Sequence, residues 1–170
     1  MNDDKWMETY QKDLKNYSLE QLRYISEAGV WSLGQMYNHV ILVALEYLEQ
    51  VEACAAQKEE QKLQKLGKTE FAERMFQAGG FPPIKIKLPD ELNTPPNNPD
   101  CKEDLMRGLH QIMEKMRELE GEINVINPNY KVQHGGFGWL NAKEWYELVS
   151  MHSRHHLRQK HEIEQKLGIK

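Results

Sequence analysis

Two histidines four residues apart are the residues of this chain whose types and spacing could do chemistry. His152 and His156 interrupt the apolar stripe of a predicted C-terminal helix. Side chains four apart lie one above the other on a helix, so two imidazoles there can converge on one metal ion. A third ligand would come from an earlier helix, and His39 is the best candidate. Three neutral imidazoles would leave coordination positions for water or substrate, which distinguishes catalytic from closed structural metal sites.

A divalent ion at such a site suits several reactions. It lowers the pKa of water or of a thiol and polarises a carbonyl, which fits hydrolysis, thiol transfer or isomerisation of a keto compound. Imidazole accepts zinc, nickel, iron, copper and cobalt, so the spacing does not select the ion. The alternative is that His152 and His156 are hydrogen-bonded core histidines, or a pair that faces solvent near the end of the bundle.

The other four histidines have less defined roles. His155 neighbours His156 and could replace a ligand, or it could belong to the residues that surround the ligands. His134 belongs to a glycine-rich loop and could reach the mouth of the site if that loop folds over the bundle. His110 borders an apolar stripe and is interpreted as a core-edge residue, whereas His161 lies on another helical face and is predicted to be on the surface.

Apolar residues that recur at spacings of three and four residues predict four main helices, over residues 3–15, 32–56, 100–119 and 141–168. A shorter helix is predicted from residue 18 to about 29. Capping-box pairs mark four of these starts, namely Ser18 with Gln21, Ser32 with Gln35, Asp100 with Glu103 and Asn141 with Glu144. The only credible strand is residues 84–88. The sequence therefore predicts an all-α four-helix bundle, in which metal and cofactor sites lie between facing helices.

A long insertion, residues 57–99, separates the second and third bundle helices. It holds a charged stretch, a short predicted helix over residues 69–77, and most of the prolines. Insertions of this length are either functional or loosely ordered, so this one is a candidate lid or partner surface. It is equally well interpreted as a packed surface strap. Apolar anchors for a strap are Phe71, Met75, Phe76, Phe81 and Ile84.

Composition limits the remaining possibilities. A length of 170 residues favours one domain spanning residues 1–170. With 22 Lys plus Arg against 26 Asp plus Glu there is no basic excess, which disfavours nucleic-acid binding. No apolar run approaches a membrane span and the N-terminal residues lack signal-peptide character, so we expect no membrane association and a cytoplasmic protein. Cys54 and Cys101 are expected to be free thiols.

Three motifs carry a resemblance to a known family. They are Trp31-Ser-Leu-Gly-Gln35 followed by Asn38-His39, Gly138-Trp-Leu-Asn141 with Glu144-Trp145, and His152-Ser-Arg-His155-His156-Leu-Arg-Gln159. In these motifs the chain resembles the DinB-like superfamily, which includes YfiT-like metal-dependent hydrolases and thiol-dependent S-transferases. The resemblance covers most of the chain but matches the insertion poorly. It implies a four-helix bundle in which His39, His152 and His156 hold a divalent metal, for which we expect zinc or nickel first.

The resemblance implies an enzyme that uses the ion to activate a low-molecular-weight thiol or water against a small electrophilic substrate. Residues 57–99 would shape its pocket. No catalytic acid or base is assigned. The alternative is a non-catalytic, stress-associated binding or dimerisation module, in which a metal with a fourth protein ligand braces the bundle or is absent. The resemblance also suggests a homodimer, and Ile41, Leu42 and Leu45, off the main stripe of their helix, are candidates for its face.

Overall fold

Four long helices form the body of the molecule. The structure is a computed structural model that describes residues 5–56, 67–83 and 95–169. In these ranges the long helices are α1 (Lys5–Asn16), α3 (Leu33–Ala55), α5 (Lys102–Glu120) and α6 (Ala142–Lys166), and the short ones are α2 (Leu19–Arg23) and α4 (Glu70–Ala78). The predicted all-α fold is thereby confirmed.

The long helices close into a ring around one apolar core. Helix α3 packs on α5 and α6, and α1 packs on the same two helices from the other side. Two buried phenols tie the centre together. The Tyr10 hydroxyl donates to the Ser153 carbonyl at 2.7 Å, and the Tyr37 hydroxyl donates to the Tyr10 carbonyl at 2.9 Å. Helices α3 and α6, which carry the predicted metal ligands, are therefore neighbours in the ring and pack directly against each other.

Reciprocal capping boxes begin the two helices that carry the predicted ligands. The Ser32 hydroxyl accepts from the Gln35 N–H, and the Gln35 side chain accepts from the Ser32 N–H. Asn141 and Glu144 make the same exchange at the start of α6. Each exchange satisfies N–H groups that a helix start would otherwise leave unpaired. Both predicted starts are confirmed, and so is the box of α2.

The predicted cap of the third long helix is wrong. Helix α5 begins at Lys102, its N-cap is Cys101, and no side chain caps it. The Asp100 carboxylate is almost fully exposed and lies 3.9 Å from the Arg23 guanidinium. Because the helix begins one residue later than predicted, Glu103 is too early in the first turn to complete a box with Asp100.

The sequence analysis did not predict the β-hairpin that precedes α6. Strand β1 (Lys131–His134) pairs antiparallel with β2 (Gly138–Asn141). Strands of four residues are too short to show a clear alternating pattern, so the expectation of no strand here is wrong. The strand predicted at residues 84–88 lies outside the described residues.

The first described part of the insertion lies against this hairpin. The Trp139 N–H donates to the Gly67 carbonyl at 3.1 Å, and the Thr69 N–H donates to the Phe137 carbonyl at 2.9 Å. Gly138 has a φ of +84°, and a Cβ added there would lie 2.7 Å from the Gly67 oxygen. Only glycine fits this crossing. Thr69 then caps α4, close to the predicted short helix.

The last described part of the insertion crosses the start of α3. The Gln35 side chain donates to the Pro96 carbonyl at 3.0 Å, and the Ser32 hydroxyl donates to the Asn98 side-chain oxygen at 2.6 Å. The Asn38 side chain donates to the Asn97 carbonyl at 2.6 Å. These contacts favour the packed strap for the described parts of the insertion.

Smaller expectations have mixed outcomes. Cys54 and Cys101 are both free. Within the described ranges, no helix combines the length and the apolar character needed to cross a membrane. Ile41 is buried at the contact of α3 with α5 and is therefore unavailable for a dimer face, whereas Leu42 is exposed and Leu45 is partly buried. The homodimer and the single-domain organisation stay predictions.

Candidate metal centre

Three imidazoles meet where α3 faces α6. The Nε2 atoms of His39 and His152 are 3.2 Å apart, and those of His152 and His156 are 3.1 Å apart. The ligand atoms of all three side chains lie within 4.8 Å of one another. The structure thus brings together the three histidines that the sequence analysis selected. Metal ligation by them stays a prediction.

The spacing of these nitrogens fits a shared cation. Two nitrogen ligands at tetrahedral positions on zinc, each at about 2.05 Å, are separated by about 3.3 Å. Hydrogen bonds offer a poorer explanation, because a neutral imidazole has one N–H and one acceptor nitrogen. Each Nε2 atom that faces the cluster as an acceptor needs a donor, and the three cannot all supply one another. A cation in the middle would satisfy all three lone pairs.

The outer nitrogen of His156 indicates its tautomer. His156 Nδ1 lies 2.7 Å from the Gln159 side-chain oxygen, so that Nδ1 carries the proton and Nε2 presents its lone pair to the cluster. The Nδ1 atom of His152 is buried and has no hydrogen-bond partner among the described residues. The sequence analysis did not predict the contact of Gln159 with a candidate ligand.

Burial keeps these histidines uncharged. Burial, and to a smaller extent the neighbouring His156, lowers the pKa of His39 from 6.5 to about 4. Burial also lowers the pKa of His156 to about 4, although its hydrogen bond to Gln159 acts to raise that pKa. The pKa of His152 is lowered well below its ordinary value, first by burial and then by the other histidines. Near neutral pH all three rings therefore offer lone pairs, and protons compete only weakly with a metal.

Aromatic side chains surround the cluster. The Trp31 ring centre is 5.2 Å from that of His39, and Tyr47 and Phe81 lie 5.9 and 6.1 Å from His152. Tyr47 follows His39 by eight residues on α3, so its position could have been derived from the helical period. Phe81 comes from the insertion, where no periodic pattern indicates its contact. These rings contribute to the partial burial of the three histidines.

His134 lies one ring away from the cluster. Its Nδ1 accepts hydrogen bonds from the backbone N–H groups of Gly136 and Phe137, at 2.9 and 3.1 Å. The proton of the neutral ring is therefore on Nε2. Its ring stacks on Phe137 and is 5.9 Å from that of Tyr47, which in turn contacts His152. The hairpin loop does fold toward the bundle, as the sequence analysis allowed.

The remaining histidines are outside the cluster. His155 is half-buried, with its ring 5.5 Å from that of His156, and is not among the three grouped residues. His110 is exposed beside Glu114 at 3.0 Å, so it is a surface residue and not a core-edge one. His161 is exposed and contacts Gln165, which confirms the predicted surface position.

An acidic residue near the start of α6 joins that helix to the insertion. The Glu144 side chain is 15% exposed and forms an ion pair with Lys68. The same carboxylate accepts the N-cap N–H of Asn141. Lys68 lies in the insertion, 76 residues earlier, so no local pattern could reveal the pairing. The pair ties the insertion to the helix that carries His152 and His156.

Together, the fold and this cluster define a helical-bundle protein with a candidate divalent metal site between two facing helices. The sequence profile of the DinB superfamily matches residues 3–159, and the chain belongs to that superfamily. This membership and the three-histidine cluster both suggest a divalent metal site. A comparison with curated proteins and one with solved structures gave no match.

Proposed function

We propose that the protein is a metal-dependent enzyme in which His39, His152 and His156 hold a divalent transition metal, zinc or nickel first. The ion activates a low-molecular-weight thiol or water against a small electrophilic substrate, as an S-transferase or hydrolase does. The observation that carries the proposal is the convergence of three partly buried, uncharged imidazoles, whose Nε2 atoms are 3.1 and 3.2 Å apart.

An open coordination position is supported by the composition of the cluster. In the described part of the chain it contains three histidines and no carboxylate or thiolate. A structural metal site has four protein ligands, whereas a catalytic one has three and a water or substrate. This composition favours the enzyme over the alternative of a bundle braced by a closed metal site.

The thiol of this proposal comes from a small molecule. Burial raises the pKa of Cys54 to about 11, and its sulfur lies 3.8 Å from the Leu140 carbonyl inside the core. Such a thiol stays protonated and inaccessible at neutral pH. Cys101 is at the start of α5 and is not part of the metal cluster.

The protein's own groups prepare the site. When bound, the ion lowers the pKa of a thiol or water and polarises a carbonyl. Gln159 holds His156 in the tautomer that presents Nε2, and Trp31, Tyr47 and Phe81 cover part of the cluster. Partial removal from water strengthens the interaction of charges within the site.

Elemental analysis tests the metal part. We expect about one zinc or nickel per chain after reconstitution of the untagged wild type, and loss of that metal in His39→Ala, His152→Ala and His156→Ala. His161→Ala, on the exposed side of α6, is the matched control and should keep the metal. Metal that persists in these three variants would contradict the proposal. A wild type that takes up no metal while its helix content is normal would contradict it as well.

Assays of the loaded enzyme then separate the two reaction classes. Transfer of a small thiol to an electrophile, or hydrolysis without a thiol, should depend on the metal and be lost in the same three variants. Retention of metal with neither reaction would favour the non-catalytic module. The small-molecule substrate, the homodimer and a cytoplasmic location are part of the proposal.

A further inference from the structure

A cavity of about 210 Å³ lies beside the metal cluster, between α6 and the segment that follows α4. Its lining is mixed in character. Phe81, Pro83 and Met151 are apolar, whereas Arg154 and Arg158, which lie on α6 as Met151 and His155 do, form the basic side of the cavity. A molecule that fits this lining combines a short apolar portion with a negative group.

The basic side has more positive charge than its surroundings neutralise. Arg154 and Arg158 are four residues apart and so lie on the same face of α6. Arg158 is 3.4 Å from the Glu162 carboxylate. Arg154, in contrast, has no carboxylate within ion-pair distance among the described residues; its partners are the Ser150 hydroxyl and the Gly79 carbonyl. The cavity is therefore electropositive.

Both guanidinium groups are held in place by the wall opposite. Arg154 Nη2 donates to the Gly79 carbonyl at 2.9 Å, and Arg158 Nη1 donates to the Pro83 carbonyl at 2.5 Å. A guanidinium has five N–H donors, so each keeps donors for a ligand after these bonds. Its planar, fork-like arrangement matches the oxygens of a carboxylate or phosphate. The arginines are thus positioned before any anion binds.

One layer of rings separates the cavity from the metal cluster. The Phe81 ring lines the cavity and lies 5.2 Å from His155 and 6.1 Å from His152. His155 lines it too, and is 5.5 Å from His156. A molecule whose two ends are separated by a few bonds could bind the arginines with one end and place the other near the histidine nitrogens.

We propose that this cavity binds the oxyanion end, a carboxylate or phosphate, of the small molecule whose thiol end reaches the metal cluster. The thiol part of this inference rests on the proposed function, whereas the anion site does not depend on it. The proposal makes Arg154 a residue that selects substrates by charge.

Paired ligands of equal length provide the test. Full-length protein loaded with cobalt(II) is titrated with ω-mercaptocarboxylates of increasing chain length, and with the ω-mercaptoalcohols that match them. Binding is read from the thiolate-to-cobalt absorption band. At one or more lengths we expect the carboxylate to bind about tenfold more tightly than the alcohol, as a charge-assisted hydrogen bond would give.

Variants test whether the preference for the carboxylate over the alcohol comes from the cavity. Arg154→Gln should abolish this preference, and Arg154→Lys should keep part of it. Arg107→Gln, an exposed arginine of α5 paired with Asp104, should leave it unchanged. The ratio of the two affinities is compared, so a general loosening of the site affects both ligands alike. Equal affinities at every length, or a preference that survives Arg154→Gln, would overturn the inference and leave the proposed function standing.

A second arm separates the two proposals if no thiol gives an absorption band. That result would count against thiol activation, and calorimetry with pentanoate, pentanol and inorganic phosphate then tests the cavity alone. Binding of pentanoate that exceeds pentanol and is lost in Arg154→Gln supports the anion site. Absence of pentanoate binding, or phosphate binding as tight as that of pentanoate, overturns it as a site for an organic ligand.

Discussion

His39, His152 and His156 are partly buried as uncharged imidazoles, and this makes the metal-free protein sensitive to acid. In the unfolded chain a histidine has a pKa of about 6.5. In the folded protein the pKa of His39 and that of His156 are each about 4, mainly because burial disfavours the charged ring. Between these values the unfolded chain binds more protons than the folded one, so stability must rise with pH across this interval.

We predict that the free energy of unfolding of the metal-free wild type falls as the pH is lowered from 6.5 toward 4. Each affected histidine contributes a slope of up to about 1.4 kcal/mol per pH unit. His39→Gln should have a shallower slope, whereas exposed His161→Gln should have the wild-type slope. Urea unfolding at several pH values measures this, and carboxylates contribute alike to all three proteins. Identical slopes for wild type and His39→Gln would refute the prediction.

The three histidines could be chosen from the sequence because they are indicated by local spacing or by the family resemblance. His152 and His156 follow from a four-residue spacing, and His39 from an apolar stripe and the family resemblance. The contact of Phe81 with His152 was not accessible in the same way, since Phe81 lies in a segment without a periodic pattern. Its position is fixed by tertiary packing.

Helix α3 begins under a close contact that positions its first turn. A Cβ added to Gly34 would lie 2.3 Å from the Pro99 ring and 2.9 Å from the Leu22 carbonyl oxygen. Neither neighbour is the far end of a flexible side chain. The glycine therefore allows the end of the insertion and the end of α2 to meet the helix that carries His39.

At Gly34 we predict that alanine lowers the free energy of unfolding by about 1–3 kcal/mol, because the extra methyl group overpacks this contact. Gly121→Ala is the matched control. Gly121 has a φ of −74° and nothing within 4 Å of an added Cβ, so alanine there should be neutral or stabilising by up to about 1 kcal/mol. Urea denaturation compares the two. A Gly34→Ala protein as stable as Gly121→Ala would show that Pro99 moves aside at little cost.

Elements with local signals were predicted better than elements fixed by distant partners. The boxes at Ser32 and Asn141 involve residues three apart, and both were found. The hairpin was missed because each strand has four residues, and part of its hydrogen bonding comes from Gly67 and Thr69 in the insertion. The excess length of the insertion was apparent from composition, but its anchoring was not.

Across the whole molecule, a buried ion network joins α6 to α1. The Lys160 side chain is 5% exposed, and its Nζ lies 2.5 Å from the Asp13 carboxylate and 2.9 Å from that of Glu164. The sequence analysis gave no indication of this network, since lysines are mostly exposed and a buried one requires partners from tertiary structure. The network lies one turn beyond His156 and connects its helix to the neighbouring α1.

We predict that Lys160→Met destabilises the protein by about 3 kcal/mol, because it leaves two poorly solvated carboxylates without a partner. Lys143→Met is the control at an exposed pair, where the Glu147 oxygen is 4.0 Å away, and should cost less than about 1 kcal/mol. Unfolding in urea, which does not screen charges, gives both values. Similar losses in the two variants would mean that the buried network contributes no more than a surface pair.

The capping boxes of α3 and α6 have a consequence for recognising related sites. His39 follows its N-cap by 7 residues, and His152 follows its own by 11. With about 3.6 residues per turn, these separations are close to two and three complete turns. One inserted or deleted residue would rotate a candidate ligand by about 100° and remove it from the cluster. The pattern Ser-x2-Gln-x3-His, followed later by Asn-x2-Glu-x7-His-x3-His, is therefore a search signature that specifies both the candidate ligands and their rotational position on each helix.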